Sequence, residues 1–260
     1  MAGSVLYEVD EGLATVTLNR PDAMNALDVG TKDELRDCLR EAAADRGVRA
    51  VLLTARGRAF CVGQDLKEHV EVLAAGAGLT TVAEHYNPIA TAIATMPKPV
   101  VAGINGVAAG AGAGFAFAAD YRIAADTASF NTSFAGVALS TDSGMSWTLP
   151  RLIGHGRAAE LLLFPRSVPA EEALALGLVH RVVPAAELPG EALAVARKLA
   201  AGPTVAYAAI KEALAFGADH GLVETLARED VLQTRAGASE DHRTAVAAFV
   251  GKRTPRFGGR

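Results

Sequence analysis

Two loops and one acidic residue carry the chemistry that this sequence can support. The segments AFCVGQDL (59–66) and GVAAGAGAG (106–114) each lie between an apolar run typical of a buried strand and a predicted helix. The first N–H groups of a helix have no partner within it, and they carry about half a positive charge. Two such loops can converge on one oxygen that becomes negative during a reaction. The alternative is that these glycines serve only the close packing of a helix on a sheet.

Motifs for several other chemistries do not occur in the sequence. GAGAG (110–114) is followed by Phe115, where a dinucleotide-binding fingerprint has its third glycine. Neither a P-loop nor a G-x-S-x-G nucleophile elbow is present. The six histidines are scattered, with no HExxH and no His/Cys pair at ligand spacing. We therefore expect no metal site and no nucleotide cofactor.

Hydrophobic periodicity predicts the elements that would position these loops. A hairpin (SVLYEV, LATVTL) is followed by a helix that opens with a capping box, Thr31 to Glu34. Buried strands are predicted at 49–54, 99–104 and 120–125, and helices at 64–73, 80–96 and 115–119.

The alternation of strands and helices indicates an α/β fold. Five further helices are predicted after residue 168, at 169–176, 187–201, 203–216, 221–235 and 240–250. The sequence thus predicts an α/β core over residues 1–195 and a C-terminal helical region over 196–260.

Composition excludes several classes of protein. The chain has 260 residues, of which 50% are hydrophobic and 21% charged, and this balance excludes a disordered or fibrous protein. Its net charge of −4 gives no general attraction to nucleic acid or to an anionic membrane. The longest weakly polar run, Gly106 to Ala119, is shorter than the ~20 residues of a membrane span. The two cysteines form no disulfide framework, so we expect a soluble cytoplasmic protein.

Five segments together make the chain resemble the crotonase, or enoyl-CoA hydratase/isomerase, superfamily over nearly its whole length, from Val5 to Phe257. They are LNRPDAMNAL (18–27), AFCVGQDL (59–66), PKPVVAGINGVAAGAGAG (97–114), ASFNTSFAGVALSTDSG (128–144) and AVAAFVGKRTPRF (245–257). The resemblance implies a spiral of ββα units with a C-terminal helical trimerisation region. It also implies a homotrimer or dimer of trimers that acts on acyl-CoA thioesters. Coenzyme A would then be part of the substrate, and no separate cofactor is expected.

The resemblance also implies roles for individual residues. The backbone N–H groups of Gln64 and Ala111 match the oxyanion hole that holds the thioester carbonyl. Phe249 and Lys252 match positions that reach CoA in the family, often from a neighbouring subunit. The remaining residues expected to bind CoA or the acyl group are Ala23, Met24, Ala26, Val62, Asp65, Leu66, Gly110, Tyr86 and Phe134. On residue type alone, Asp65 is better suited to capping or positioning a loop.

Departures from the family pattern indicate the reaction. Hydratases of this family use two glutamates, and the matching positions here are Gly114 and Phe134, neither of which exchanges a proton. One carboxylate remains in the matching stretch, Asp142 in ALSTDSG. A single acidic residue there is typical of the isomerase branch, which includes the isomerase that converts epoxyphenylacetyl-CoA to oxepin-CoA. We therefore expect an isomerase of fatty or aromatic acyl-CoA in which Asp142 moves the proton.

Four alternatives remain open at this stage. Asp142 could instead cap the helix that follows it. The protein could be a conventional hydratase in which Asp142 alone activates water. It could resemble the hydrolytic aryl-CoA dehalogenases, although Asn87 and Phe134 stand where that group has other residues and His85 lies two positions away. It could also be a CoA-binding protein without catalytic activity.

Overall fold

The computed structural model describes residues 3–74 and 80–260. The strands in these residues are β1 (Val5–Asp10), β2 (Leu13–Leu18), β3 (Ala50–Ala55), β4 (Ala59–Cys61), β5 (Val100–Ile104), β6 (Val107–Ala109), β7 (Tyr121–Ala125), β8 (Ser129–Asn131), β9 (Val168–Pro169) and β10 (Arg181–Val183). The helices are α1 (Val29–Ala44), α2 (Leu66–Ala74), α3 (Asn87–Thr95), α4 (Ala111–Ala118), α5 (Met145–Ile153), α6 (His155–Leu163), α7 (Ala170–Leu176), α8 (Leu188–Ala200), α9 (Thr204–Gly217), α10 (Leu222–Gly237) and α11 (Glu240–Val250).

The strands form two sheets that the chain visits alternately. A six-stranded sheet has the order β1-β2-β3-β5-β7-β10, antiparallel between β1 and β2 and parallel from β2 onward. A smaller sheet has the order β4-β6-β8-β9. The successive pairs β3/β4, β5/β6 and β7/β8 each contribute one strand to each sheet, and helices follow each pair. This repetition produces the spiral of ββα units that the family resemblance implies.

The core lies between the six-stranded sheet and the helices on its two sides. Every residue of β5 is buried, as expected of a parallel strand covered on both faces. Helix α8 packs across β3, β5 and β7, while α1 and α3 pack against each other. The predicted boundary after residue 195 falls inside α8, whose Ala196 and Ala200 belong to the main core. The helices that follow α8 are α9, α10 and α11.

Helix α1 begins earlier than the sequence predicts. Asp28 is the N-cap, and its carboxylate accepts a hydrogen bond from the Thr31 amide at 2.8 Å. The predicted capping box is wrong because Glu34 turns to β1, where it accepts bonds from Ser4 Oγ and the Val5 amide. Asp28, three residues before Thr31, is therefore the N-cap in place of the predicted Thr31.

Two further predictions are corrected by the structure. The stretches predicted as loops around residues 59–61 and 107–109 form β4 and β6, strands too short to show a two-residue period. The helix predicted over 80–96 is divided into a π-helical turn, Val82–Tyr86, and α3. Pro88 has no N–H for the carbonyl of Glu84, and the Asn87 amide instead reaches the carbonyl of Val82.

No helix in residues 3–74 or 80–260 is both long and apolar enough to cross a membrane.

Candidate active site

The peptide of Gln64 is held by a single bridge to the loop before α1. The Leu27 amide donates to the Gly63 carbonyl at 2.8 Å, and the Asp65 amide donates to the Leu27 carbonyl at 3.1 Å. In a parallel bridge of this kind, the residue between the two bonded groups, here Gln64, points its own N–H away from the partner segment. Within the described part of the chain, the Gln64 N–H has no hydrogen-bond acceptor.

The amide of Ala111 is the first N–H of α4. The N-cap is Gly110, which has a φ of +51° and no side chain to cap the helix. Gly110 itself donates to the Asn131 carbonyl at 3.0 Å, and this bond fixes the start of the helix on β8. No acceptor among the described residues bonds the Ala111 N–H. Every residue of α4 is buried, so the positive end of its dipole lies in a site of low polarity.

Gly63 brings the two amides side by side. A Cβ at this residue would lie 3.4 Å from the Ala111 nitrogen and 3.0 Å from the Ala109 carbonyl oxygen. Gly63 also has a φ of +83°, which side chains rarely adopt. The two loops therefore approach this closely because residue 63 has no side chain. The structure places the amides of Gln64 and Ala111 next to each other with both N–H groups unbonded.

Asp142 stands on a turn that leads into α5. Ser143 and Gly144 follow it with φ of +53° and +73°, and Ser143 is completely buried. The Ser143 hydroxyl donates to the Asp142 carboxylate at 2.7 Å. The Met145 amide bonds the main-chain carbonyl of Asp142, and Gly144 is the N-cap, so Asp142 does not cap α5 with its side chain.

Burial raises the pKa of the Asp142 carboxyl above its ordinary value, and the hydrogen bond from Ser143 opposes part of that rise. Tyr86 lies close enough for its pKa to respond to Asp142. Burial chiefly raises the pKa of the Tyr86 phenol, and the negative charge of Asp142 raises it further. A carboxylate whose pKa is raised in this way is a stronger base than an exposed one.

The segment around Asp142 packs directly on α4. A Cβ at Gly114 would lie 2.6 Å from the Ser143 Cβ and 3.1 Å from its carbonyl oxygen, so position 114 accepts no side chain. Gly114 is one helical turn after Ala111. Ser143, the residue after Asp142, thus contacts α4 one turn beyond Ala111, which carries one of the unbonded amides.

Tyr86, whose pKa responds to Asp142, packs against the apolar ring of Phe115. Tyr86 is 3% exposed and meets Phe115 edge-to-face with 6.0 Å between ring centroids, and Phe134 is also buried. A groove of about 370 Å³ continues past Ser143 between α3 and α5, and its lining includes Asn87, Ala90, Thr91, Gly144 and Trp147. A larger cavity of about 490 Å³ lies near the other end of α3, against α9, and none of its lining residues carries the two amides or Asp142.

The loop that carries Ala23, Met24 and Ala26 is fixed by Asn25. Its buried side chain accepts from the Arg20 amide and donates to the carbonyls of Arg56 and Ala59. This arrangement holds the loop against β4 and leaves Ala23 and Met24 partly exposed.

The remaining predicted binding residues fall into two groups. Val62, which is half-buried, and Gly110 lie on the two loops of the amide pair, and Leu66 is exposed at the start of α2. The Asp65 carboxylate pairs with Arg20 and accepts from the Lys67 amide, so it positions its loop and caps α2. Phe249, 85% exposed, and Lys252 lie on the surface at the end of α11.

Lys32 is the residue that sequence reasoning missed. It is 1% exposed and lies on α1 with its ammonium against the Gln64 side chain. A signal was available, because Lys32 is three residues before Leu35 and seven before Leu39, on the apolar stripe of the helix. A lysine on a buried stripe needs polar partners inside the protein.

Comparisons with known proteins show the family to which the chain is similar. A family model described as enoyl-CoA hydratase/isomerase matches residues 8–260. The chain is 44% identical to a probable enoyl-CoA hydratase of Rhodobacter capsulatus, covering 99% of this chain and 98% of that protein. It is 39% identical to the 1,2-epoxyphenylacetyl-CoA isomerase of Escherichia coli, with 98% of each chain covered.

A crystal structure of a Mycobacterium abscessus protein described as an enoyl-CoA hydratase/isomerase superposes with a TM-score of 0.95 at 46% identity. The match covers 98% of this chain and all of the other.

The fold and these comparisons therefore define an enzyme of the crotonase class. The chain belongs to the enoyl-CoA hydratase/isomerase family, as the resemblance in its sequence implies.

Proposed function

We propose that this enzyme isomerises acyl-CoA thioesters, moving a double bond or isomerising a ring epoxide, with Asp142 as the group that carries the proton. The observation that supports this most strongly is the contact between Gly114 and Ser143. Because a Cβ at position 114 would lie 2.6 Å from Ser143, no second carboxylate can enter the site from α4. Phe134 occupies the other position at which a hydratase has glutamate. One carboxylate suits proton transfer between two carbons better than it suits the orientation and splitting of water.

In the proposed reaction, the thioester carbonyl oxygen accepts hydrogen bonds from the amides of Gln64 and Ala111. Asp142 removes a proton from the carbon next to the carbonyl or from the γ-carbon, and the electrons move onto the oxygen as an enolate. The protonated Asp142 then returns the proton to the other carbon, so that the enzyme is regenerated without a co-reactant. General-base catalysis contributes about 10²–10⁴-fold, and one oxyanion donor about 10²–10³-fold.

Hydration of the double bond is the second candidate, because a relative at 44% identity is named a probable enoyl-CoA hydratase. The two reactions separate in deuterium oxide with a panel of enoyl-CoA thioesters. An isomerase yields the shifted alkene, with deuterium at the α- or γ-carbon in those turnovers in which the proton on Asp142 exchanges with solvent before its return. Accumulation of 3-hydroxyacyl-CoA at a rate equal to or above formation of the shifted alkene would contradict the proposal and support hydration.

The contacts of His85 argue against the dehalogenase-like alternative, in which a histidine acts as the base. Its Nδ1 lies 3.2 Å from Thr81 Oγ1 and its Nε2 lies 3.4 Å from Asp33, so both ring nitrogens are engaged with neighbouring side chains. A histidine held in this way is poorly placed to activate water beside Asp142. Detection of a covalent aryl-enzyme ester by mass spectrometry would favour the hydrolytic reaction instead.

The pH dependence of turnover tests the role of Asp142 directly. As pH falls through the pKa of the folded enzyme, the carboxylate is protonated and can no longer accept the substrate proton. Because burial raises this pKa, we expect kcat/KM to fall on the acidic side at a pH above the ~3.9 of an ordinary aspartate. The measurement is a pH profile of kcat/KM in wild type. A profile that stays flat down to about pH 4 would contradict the assignment.

We also propose that the protein forms a homotrimer or dimer of trimers through its C-terminal helices. Large apolar side chains on α9, α10 and α11 face solvent in the single chain: Ile210, Leu214, Leu222, Val223, Leu226, Val231, Val246, Phe249 and Val250. Exposed apolar surface of this extent is typical of an interface. Phe249 and Lys252 would then reach CoA held by a neighbouring subunit.

Light scattering should give three or six times the 26.8 kDa of one chain. Leu214, on α9, is 72% exposed, so Leu214→Glu places a charge on the proposed interface and should shift the mass toward one chain. Val9→Glu, at an exposed valine of β1, is the matched control and should not. A monomeric wild type would contradict this part of the proposal.

A further inference from the structure

Lys32 is a buried ammonium with all of its hydrogen bonds inside the protein. Its Nζ lies 2.9 Å from Glu68 Oε1, 3.0 Å from Thr81 Oγ1 and 3.3 Å from Gln64 Oε1. A lysine has three N–H donors, so each donor has one acceptor. These acceptors come from three separate parts of the chain: α2, the segment before α3, and the Gln64 loop. Lys32 therefore joins α1 to α2, to the segment before α3 and to the Gln64 loop.

The Gln64 side chain is fixed on both ends of its amide. Its Oε1 accepts from Lys32 and from the Tyr86 hydroxyl, and its Nε2 donates to Glu68 Oε1 at 3.1 Å. Glu68 is anchored in turn, because its Oε2 accepts from the Val29 amide at 2.6 Å. A glutamine held at both ends restricts rotation of its own backbone, and the main-chain N–H of this residue is one of the two unbonded amides.

The ammonium of Lys32 supplies the positive charge that balances Glu68 in this set of contacts. Glu68 is the carboxylate that faces the ammonium, and the ring of Tyr86 lies 5.8 Å from Nζ at its centroid. Without the ammonium, the partly buried Glu68 would lose its counter-ion and would keep only its bonds from the Val29 amide and the Gln64 side chain. The Gln64 side chain would lose one of the two donors to its Oε1, and the bridge to Leu27 would hold the Gln64 N–H with less support from the side chain.

We propose that Lys32 is a positioning residue for the oxyanion hole and acts through the Gln64 side chain on the direction of the Gln64 N–H. This inference rests on the proposed function, because it requires that N–H to bind the thioester carbonyl. A misplacement of about 1 Å at a reacting group can lower the rate by about 10²-fold. We therefore expect Lys32→Met to lower kcat by about 10- to 100-fold while KM changes by less than about threefold.

The experiment compares Lys32→Met with Lys98→Met. Lys98 is also a buried lysine, and its ammonium bonds the carbonyls of Ala42 and Asp45 at the opposite end of α1. Both variants lose a buried ammonium, so both should lose stability in thermal denaturation. The distinguishing readout is the infrared carbonyl stretch of bound hexanoyl-CoA carrying ¹³C at the thioester carbon. Wild type and Lys98→Met should shift this band to lower frequency, and Lys32→Met should shift it less.

A second variant covers the case in which Lys32→Met does not fold. Gln64→Met keeps the backbone N–H and leaves Lys32 paired with Glu68 and Thr81, and it should reduce the carbonyl shift and kcat in the same direction. A full carbonyl shift with wild-type kcat in either variant would overturn the role of Lys32. Absence of any shift in wild type would overturn the oxyanion hole itself, and this inference with it.

Discussion

Asp142→Asn is expected to lower kcat for double-bond migration by about 10²–10⁴-fold, because the substituted side chain cannot accept a proton from carbon. The amide keeps an oxygen for the Ser143 hydroxyl, which donates at 2.7 Å in the wild type, so the turn before α5 should be unchanged. Binding of the thioester should also persist, since the unbonded amides of Gln64 and Ala111 are untouched. The measurements are deuterium exchange and isomer formation under single-turnover conditions, with binding followed by calorimetry.

The control for this substitution is Asp126→Asn. Asp126 is exposed and accepts one hydrogen bond, from the Ala185 amide at 3.1 Å, at the surface of the core. Its replacement makes the same chemical change away from the amides and should leave turnover within about twofold, as for most surface substitutions. If Asp142→Asn kept turnover close to that of Asp126→Asn, the proton carrier would have to be another group.

The stability of Asp142→Asn gives an independent check. Folding raises the pKa of this carboxyl, so the native protein holds its proton to a higher pH than the unfolded chain does. Folding therefore disfavours the ionised carboxylate. As pH rises from the pKa of the unfolded chain through that of the native protein, Asp142 lowers the free energy of unfolding. At pH 7 the asparagine variant should melt at the same temperature as wild type or higher. A clear fall in melting temperature would mean that the loss of activity reflects unfolding.

Gly114→Ala should disable the site by a different route. Its Cβ would lie 2.6 Å from the Ser143 Cβ and 3.1 Å from the Ser143 carbonyl oxygen. Ser143 is completely buried at a φ of +53°, so it has little freedom to move away. Overpacking of this kind costs about 1–3 kcal/mol of unfolding free energy. Any displacement of Ser143 also moves the adjacent Asp142, so urea denaturation and kcat should both show a loss.

Gly156→Ala is the matched control for that change. A Cβ at Gly156 in α6 would meet nothing within 4 Å, so this variant should be neutral or more stable by about 0.4–1 kcal/mol. Gly114→Glu extends the test, because it restores the residue type of a hydratase at position 114. We expect it to fold poorly and to add no water to enoyl-CoA. Wild-type stability together with new hydratase activity would show that position 114 is open.

The fold could be predicted from the sequence wherever a segment is long enough to show its period. The hairpin of β1 and β2, the buried β3, β5 and β7 and the helices from α8 onward all agree with prediction. The short strands β4 and β6 could not be found, since three residues cannot show an alternating pattern. Their pairing creates the second sheet, which places both amide-bearing loops on the same side of the core.

The arrangement of the site residues could not be predicted from motifs, because it depends on contacts between segments that are distant in the sequence. The sequence marks Gln64, Ala111 and Asp142, but their proximity depends on two contacts between distant loops, Gly63 on Ala111 and Gly114 on Ser143. The start of α1 was predicted wrongly because Asp28 and Thr31 are both good caps, and only the fold decides where Glu34 turns. The partners of Lys32 lie 32 to 49 residues away in the chain and leave no local pattern.

The contact between α4 and the turn of residues 142–144 constrains how this enzyme can evolve. A two-glutamate active site needs a side chain at residue 114, and that side chain has no room until the buried serine has shifted. Single-step exchange at residue 114 should therefore be deleterious in this background, whereas a prior insertion or deletion in the turn would make it tolerable. The order of mutations between isomerase-like and hydratase-like ancestors should accordingly be fixed, with the turn changing first.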